Sequence, residues 1–317
     1  MTVSDDVLAE QFSAHRAHLI GVAYRLTSTL SDAEDAVQEA WLRLSGLDEE
    51  RRAAIRDLRG WLTTVVGRIC LDRLRSAAVQ RERYIGPWLP EPLVTPFGAP
   101  VSDDPLETVV RDEGVRMAAM VLLDRLSPEQ RVAFVLHDAF GVPFAEIAET
   151  LGCSEAAARQ HASRGRRAAA EADPPPRVPL DEQRDVIERF LAALAAGDMP
   201  AVVELLHPDV LLIGDANGKA RTSRRIMVGA DKLARFIFGL REAYGVEQLL
   251  TGQLILVNGD IGVLLPAQTG EDGKWSMSRR VGTFAVRDGK VVAMYDIVNP
   301  DKLTRLPDQE SGTRPPT

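Results

Sequence analysis

A chain of 317 residues exceeds what one ordinary hydrophobic core supports, so two or three compact units are expected. Its 45% hydrophobic and 26% charged residues are those of a globular protein, and no apolar run reaches the roughly 18 to 20 residues needed to cross a bilayer. A net charge of -8 excludes a chain that coats nucleic acid over its whole surface, although arginines cluster in particular segments.

The opening stretch, with Asp5, Asp6 and Glu10, lacks the basic and apolar segments of a signal peptide, so a cytoplasmic location without membrane attachment is expected. Two cysteines, Cys70 and Cys153, both in helical patterns, fit small buried hydrophobes better than a disulfide or a metal site. No metal or cofactor is expected.

The first helical pattern runs from Leu8 to Leu26, where Phe12, His15, Leu19, Val22 and Leu26 recur at spacings of three and four. Ser31-Asp32-Ala33-Glu34 reads as a capping box opening the next helix. There Val37, Ala40, Trp41 and Leu44 make the buried stripe and leave Asp35, Gln38, Glu39 and Arg43 on other faces. A third helix is predicted over Leu58 to Arg83. The prolines at 87, 90, 92, 96, 100 and 105 then stop any helix and suggest a spacer over 86–112.

After the spacer, Ser127-Pro128-Glu129-Gln130 forms a second capping box with proline at the first helical position, and residues 131–139 continue that helix. Phe144 to Thr150 is a short helix ended by Leu151-Gly152, and Ser154 caps the next. Helix, glycine turn and helix in this order make a helix-turn-helix. Between Ser154 and Arg167 its last helix carries Arg159, Arg164, Arg166 and Arg167 against the single acid Glu155. The small residues Ala158, Ala162 and Gly165 mark the packing stripe, while Gln160, Arg164 and Arg167 form another stripe suited to base edges in a major groove. His161 fits either a surface position or a DNA contact, and the bland alternative for the whole helix is a solvated basic face.

A second group of prolines (174, 175, 176 and 179) separates this block, over 113–170, from a third over 182–304. The third opens with helices Glu182 to Ala196 and Pro200 to Leu206. Strands are predicted over Val210 to Gly214, Val246 to Val257, Ile261 to Gln268, Trp275 to Val286 and Val291 to Val298, with a helix over Ala230 to Tyr244. Asn258-Gly259 and Asp288-Gly289 are hairpin turns, because both central positions of a type I′ turn require positive φ. The expected product is an α+β cone, a curved antiparallel sheet wrapped around helices. A polar tail after residue 305 is expected to be disordered.

The run from Asp32 to Leu44 (DAEDAVQEAWLRL) resembles region 2.2 of the extracytoplasmic-function (ECF) sigma factors of RNA polymerase. That resemblance implies a helix that docks on core RNA polymerase, with Asp35, Gln38, Glu39 and Arg43 facing it. Leu58 to Arg68 (LRGWLTTVVGR) and Asp72 to Arg75 (DRLR) are similar to regions 2.3 and 2.4, implying a DNA face for the -10 element that includes Arg68, Arg73 and Arg75. Trp61 fits helix packing better than base stacking. The helix-turn-helix matches region 4, which implies contacts to the -35 element of promoter DNA from Arg159, Gln160, His161, Arg164 and Arg167. The Pro-rich spacer, at about 3.1 Å per residue, could set the two reading domains roughly 60 Å apart.

The third block resembles the SnoaL-like extension, of the NTF2-like superfamily, that one ECF subgroup carries. Asn299-Pro300-Asp301-Lys302-Leu303 reproduces a motif of that subgroup, and Asp215-Ala216-Asn217-Gly218-Lys219 stands at its glycine-rich loop, with Ala216 and Asn217 in place of two glycines. The fold class implied is multidomain: two all-α sigma domains, a region 2 bundle (1–85) and a region 4 helix-turn-helix (113–170), a linker over 171–181, and the α+β SnoaL-like cone. The function implied is a non-catalytic alternative sigma factor regulated in cis, with Asp215, Asn217, Gly218, Lys219 and residues 299–303 at the regulatory contact.

A cone pocket open to a small-molecule ligand is part of the same resemblance. His207, Asp215, Tyr295 and Asp296 are the acid–base candidates if the cone is an enzyme, and their spacing forms no recognisable catalytic set. The alternatives are a ligand-sensing helix-turn-helix regulator and an NTF2-like enzyme joined to a DNA-binding module. The sequence leaves oligomeric state open.

Overall fold

The computed structural model describes residues 5–81, 84–98, 109, 113–249, 251–269 and 276–306. The chain divides into two compact units, Met1–Arg83 with Pro100–Pro174, and Tyr84–Ala99 with Pro175–Thr317. No helix among the described residues is long and apolar enough to cross a membrane. Of the tail predicted after residue 305, Leu306 is buried, and the rest, with the spacer prolines at 100 and 105, lies outside the described residues.

The first unit is all helical. Its elements are α1 (Asp5–Thr27), α2 (Leu30–Ser45), α3 (Glu49–Ala53), α4 (Leu58–Arg81), α5 (Met117–Leu123), α6 (Pro128–Phe134), α7 (Phe144–Leu151) and α8 (Glu155–Ala172). Leu19, Val22 and Leu26 of α1 are buried with Val37, Ala40 and Leu44 of α2, so the three-and-four spacing marks the core face.

The expected capping box at Ser31 does not form. Helix α2 begins two residues earlier, behind an extended Thr29 whose hydroxyl donates to the Asp32 carboxylate at 2.5 Å. The cause lies upstream: Ser28 takes a left-handed φ of 64° and its hydroxyl donates to Asp124 at 2.9 Å, which turns the chain into α2 before Ser31 can cap it.

The capping box at Ser127 forms as predicted. The helix it opens changes after Phe134 into a π-helical turn, Val135–Ala139, where the uniform pattern predicted a continuous α-helix. That turn swings His137 into a stack on Phe144, with ring centroids 3.9 Å apart.

The two sigma-like halves, expected well apart, pack together here. Arg131, only 1% exposed, donates to the Arg25 carbonyl at 2.8 Å and also to Asp124 and Ser28. Leu136 lies over Gly67, where an added Cβ would come within 2.9 Å of it. Apolar burial and a buried guanidinium with several acceptors outweigh the freedom that a Pro-rich connection permits.

His18 sits in the same bundle with Nε2 2.8 Å from the Thr63 hydroxyl and Nδ1 3.0 Å from the Arg59 guanidinium. Because Thr63 donates its own hydrogen to the Arg59 carbonyl, the ring is neutral, donating at Nε2 and accepting at Nδ1. Burial, and then the Arg59 charge, lower its pKa from 6.5 to about 4. The unfolded chain therefore takes up a proton first as pH falls, and the first unit loses stability between pH 6.5 and 4. A His18→Gln variant is expected to flatten that part of the stability–pH curve, as measured by amide exchange in α1 and α4. An unchanged curve would remove His18 as the cause. Cys70 is buried as predicted, its thiol pushed up to about 12 by desolvation.

The second unit is an α+β cone. Helices α9 (Leu180–Ala196), α10 (Met199–Leu205), α11 (Ala230–Tyr244) and α12 (Val246–Leu249) accompany a seven-stranded sheet. In chain order the strands are β1 (Val94–Pro96), β2 (Leu206–Asp215), β3 (Met227–Val228), β4 (Gln253–Val257), β5 (Asp260–Leu265), β6 (Gln268–Thr269), β7 (Ser276–Met277), β8 (Arg280–Arg287) and β9 (Lys290–Ile297). Their order in the main sheet is β1-β4-β5-β8-β9-β2-β3, while β6 and β7 pair separately. Phe190, Val202, Leu233, Ile237, Ile261 and Phe284 meet in the core between helices and sheet.

Both predicted hairpins are present, with φ of 53° and 81° at Asn258-Gly259 and 52° and 69° at Asp288-Gly289. The strands expected over Ile261 to Gln268 and Trp275 to Val286 are each divided, with β5 and β8 in the main sheet and β6 and β7 pairing apart, and two further expectations fail. The sheet is mixed, because β2 runs parallel to β9, with Gly214 beside Asp296 and Asp215 beside Ile297. β2 enters from α10 rather than through a hairpin, so no turn forces it antiparallel. The strand predicted from Val246 starts instead at Gln253, after the helical turn of α12.

Candidate functional site

Part of the Pro-rich spacer is built into the second unit. Residues Val94–Pro96 form the sheet's edge strand β1, pairing antiparallel with β4 from Val94 and Val257 to Pro96 and Ile255. An edge strand tolerates proline because one side of its ladder needs no N–H. Just before β1, the buried Asn258 accepts from the Leu93 amide at 3.0 Å and donates its own amide to the Leu93 carbonyl at 2.8 Å.

The residues before that strand enter a polar clasp. Asp215 ends β2 with 0% exposure. Its Oδ2 accepts from the Leu89 amide at 2.7 Å and from Lys302 Nζ at 2.6 Å, and its Oδ1 accepts from the Tyr84 hydroxyl. Lys302, 8% exposed, also donates to the Leu89 carbonyl and lies 3.7 Å from the centre of the Trp88 ring. The Asn299 amide donates to the Tyr84 oxygen at 2.8 Å, while its Oδ1 accepts from Asp301 N and caps the turn that carries Lys302. Burial and the Asp215 carboxylate push the Tyr84 hydroxyl upward, so it remains a donor.

Each member of the predicted regulatory set has a place in or beside this clasp. Asn217 (φ 47°) and Gly218 (φ 69°) make the left-handed turn after β2. Asparagine tolerates that region, so the turn forms here with Asn217 at a left-handed position. Asn217 accepts from the Ile85 amide at 3.3 Å, and Lys219 pairs with Asp301 at 2.5 Å. Pro300 opens the short turn and Leu303 is buried behind it. Sequence reasoning missed Tyr84, Trp88, Leu89 and Asn258. The available signal was the apolar content of Trp88 to Leu93, which a solvated spacer does not need.

In the first unit, Asp35, Gln38 and Arg43 are exposed on α2 and Glu39 is partly so, with Glu39 and Arg43 paired at 2.6 Å. Leu42, 61% exposed on the same helix, is an apolar neighbour that the charge pattern did not single out. Trp41 turns inward onto Phe12, at 5.1 Å between centroids. Among the three arginines of α4 expected at the -10 element, Arg73 is half-buried between Asp32 (3.1 Å) and Asp35 (3.6 Å), and Arg75 pairs with Glu129 of α6 at 3.1 Å. Arg68 is exposed in a cleft that Trp61, Arg43 and Arg56 share with Glu146 and Glu149 of α7.

On α8 the small stripe Ala158, Ala162 and Gly165 is buried, as predicted. Gly165 is required there, since a Cβ would come within 2.7 Å of Phe134. Gln160 and Arg164 are exposed, and neither has an ion pair among the described residues. Arg159 pairs with Glu155 and lies over Phe144, while Arg166 pairs with Asp138 and Arg167 approaches Glu171 at 3.9 Å. His161 points a buried Nδ1 inward, without a hydrogen-bond partner among the described residues.

The four acid–base candidates of the cone separate. His207 is exposed and accepts from the Asp209 amide at 3.1 Å, and Asp215 belongs to the clasp. Tyr295 and Asp296 line an apolar cavity of about 140 Å³.

Residues 11–79 match the family described as Sigma-70 region 2, residues 116–168 that described as Sigma-70, region 4, and residues 187–294 that described as SnoaL-like domain. The chain is 53% identical over 311 residues to the ECF RNA polymerase sigma factor SigJ of Mycobacterium tuberculosis, covering 96% of each. It is 33% identical over 307 residues to a probable ECF RNA polymerase sigma factor, SigI, of the same organism, covering 95% of this chain and 96% of the relative. The crystal structure of M. tuberculosis SigJ aligns with a TM-score of 0.79 at 52% identity, over 93% of this chain and 98% of that one.

Proposed function

We propose how this chain acts from the premise that it belongs to the ECF RNA polymerase sigma factors: it is an alternative sigma factor whose own carboxy-terminal cone controls it by holding the segment between its two promoter-reading parts. The observation that carries the reading is the clasp. Residues 84–98 connect the region 2 helices to the region 4 helices in sequence, and Asp215, Asn299 and Lys302 grip that connection.

Core RNA polymerase is engaged by the exposed face of α2, through Asp35, Gln38, Glu39 and Arg43, with Leu42 adding apolar area. Promoter DNA is read at the -10 element by the cleft around Arg68, and at the -35 element by Gln160 and Arg164. Arg73 and Arg75 serve the bundle by their ion pairs, and Arg75 becomes available to DNA when its bond to Glu129 opens. Arg159 and Arg167 act at phosphates, contacts that position the helix without reading sequence. His161 supports the helix from its inner side. Among the cone's features, the cavity beside Tyr295 and Asp296 is the place for a small-molecule ligand.

A repressor-like reading needs only the helix-turn-helix and leaves the polar face of α2 without a role. Run-off transcription with purified core polymerase, on templates selected from randomised promoters, separates the two. The full chain is expected to bind core and support initiation, and failure at both removes the sigma reading of the site residues. On the selected templates Arg164→Ala is expected to lower output by about 5- to 100-fold, the worth of one good base contact, with the loss confined to one position of the -35 element. Equal loss on every -35 variant would reassign Arg164 to the phosphate backbone.

A further inference from the structure

The cavity in the cone has one polar end. Apolar side chains, among them Phe190, Leu233, Ile237, Met277 and Phe284, make most of its wall. At the polar end stand Arg280 of β8 and Asp296 of β9, paired at 3.3 Å. Arg280 is held by carbonyls as well, at 3.2 Å from Arg221 and 3.5 Å from Ser278. Asp296 accepts from the Thr222 hydroxyl at 2.5 Å.

Both bonds to Asp296 end on Oδ2, and Oδ1 receives no hydrogen bond from the described residues. That oxygen is not fully enclosed, so a donor bound in the cavity can take the place of water at a charged acceptor. Because Arg280 already balances the carboxylate's charge, a cationic ligand gains little there. An anionic ligand would bring a second negative charge against Asp296. A neutral molecule with one O–H meets the site on both counts.

Size narrows the class further. An apolar cavity of roughly 150 Å³ is known to hold benzene, so the space of about 140 Å³ found here suits one ring or a short branched chain.

We infer that the cone binds a small, neutral, largely apolar alcohol or phenol, whose hydroxyl donates to Asp296 Oδ1 beside Arg280 while its hydrocarbon part fills the space among Phe190, Leu233, Ile237 and Phe284. The inference rests on reading the cavity as a ligand site, and it names the chemistry that site selects.

The full chain, titrated by ligand-observed NMR with p-cresol, toluene and p-toluate, tests it. p-Cresol is expected to bind about tenfold or more tighter than toluene, the effect of one hydrogen bond to a charged acceptor, and tighter than p-toluate by a similar factor. Gly282 faces Asp296 across the β8–β9 ladder, and a Cβ there meets its nearest atom only at 4.0 Å, so Gly282→Val fits the strand while filling the polar end. That variant is expected to weaken p-cresol by about tenfold or more. Asp296→Asn, with its amide in place of the charge, is expected to cut the preference for p-cresol over toluene by about threefold or more. If Asp296→Asn does not fold, the ligand series and Gly282→Val decide alone. Absence of saturable binding by all three probes overturns the ligand-site reading itself. Equal binding of p-cresol and toluene, or p-cresol binding unaffected by Gly282→Val, overturns the assigned chemistry and leaves that reading in place.

Discussion

Replacing Asp215 by asparagine is expected to release the segment around Leu89. The carboxylate is fully buried and takes three donors, Tyr84 O–H, Leu89 N–H and the Lys302 ammonium. Loss of its charge leaves Lys302 buried opposite an amide, a change that typically costs about 3 to 5 kcal/mol when a buried ion pair is broken from one side. At about tenfold per 1.4 kcal/mol, amide exchange at Leu89 should accelerate on the order of a hundredfold or more. Leu93 is bonded to Asn258 rather than Asp215, so its exchange should rise less. Promoter output is expected to change in the same variant, because the freed segment joins the two reading parts. Unaltered protection at Leu89 would show that the clasp does not hold the segment, and unaltered transcription despite lost protection would remove its regulatory role.

The second large effect is expected at Arg131. Its guanidinium is buried among the Arg25 carbonyl, Ser28 and Asp124, joining the end of α1 to the start of the helix-turn-helix block. Arg131→Met should destabilise the first unit by about 3 to 5 kcal/mol, most of it from the acceptors left behind. Urea dependence of amide exchange in α1 and α6 reads this loss without requiring the two units to unfold together. Combining Arg131→Met with Asp124→Leu removes both partners, and the double variant is expected to recover part of the stability lost in the single one. Arg131→Lys should rescue little, because an ammonium cannot present the planar fork that meets several acceptors at once. A loss within about 1 kcal/mol for Arg131→Met would mean that apolar burial, not this network, joins the two helical halves.

Local chemistry made much of the protein readable from its residues. The Ser127 box, the left-handed Gly152 and the Ser154 cap are set by atoms within four positions of one another, so the helix-turn-helix could be placed almost residue by residue. The two hairpins follow in the same way from Asn-Gly and Asp-Gly, and the small stripe of α8 from helical periodicity. Residues 299–303 were also recognisable as a motif, although nothing within the motif says what it holds.

Tertiary structure decided the rest, wherever a residue's partner is far away in sequence. The start of α2 moved because Ser28 answers to Asp124, 96 positions later, and Arg73 is paired with carboxylates 41 and 38 positions before it, at Asp32 and Asp35. The Pro-rich segment reads as a spacer on composition alone. Residues 84–96 of it form an edge strand and the part held by the clasp because Asp215, Asn258 and Lys302, more than 120 positions away, supply hydrogen bonds its backbone would otherwise take from water. Periodicity and capping act over a single turn of chain. Whether a proline-rich stretch is solvated or gripped depends on acceptors and donors that only the folded cone brings to it.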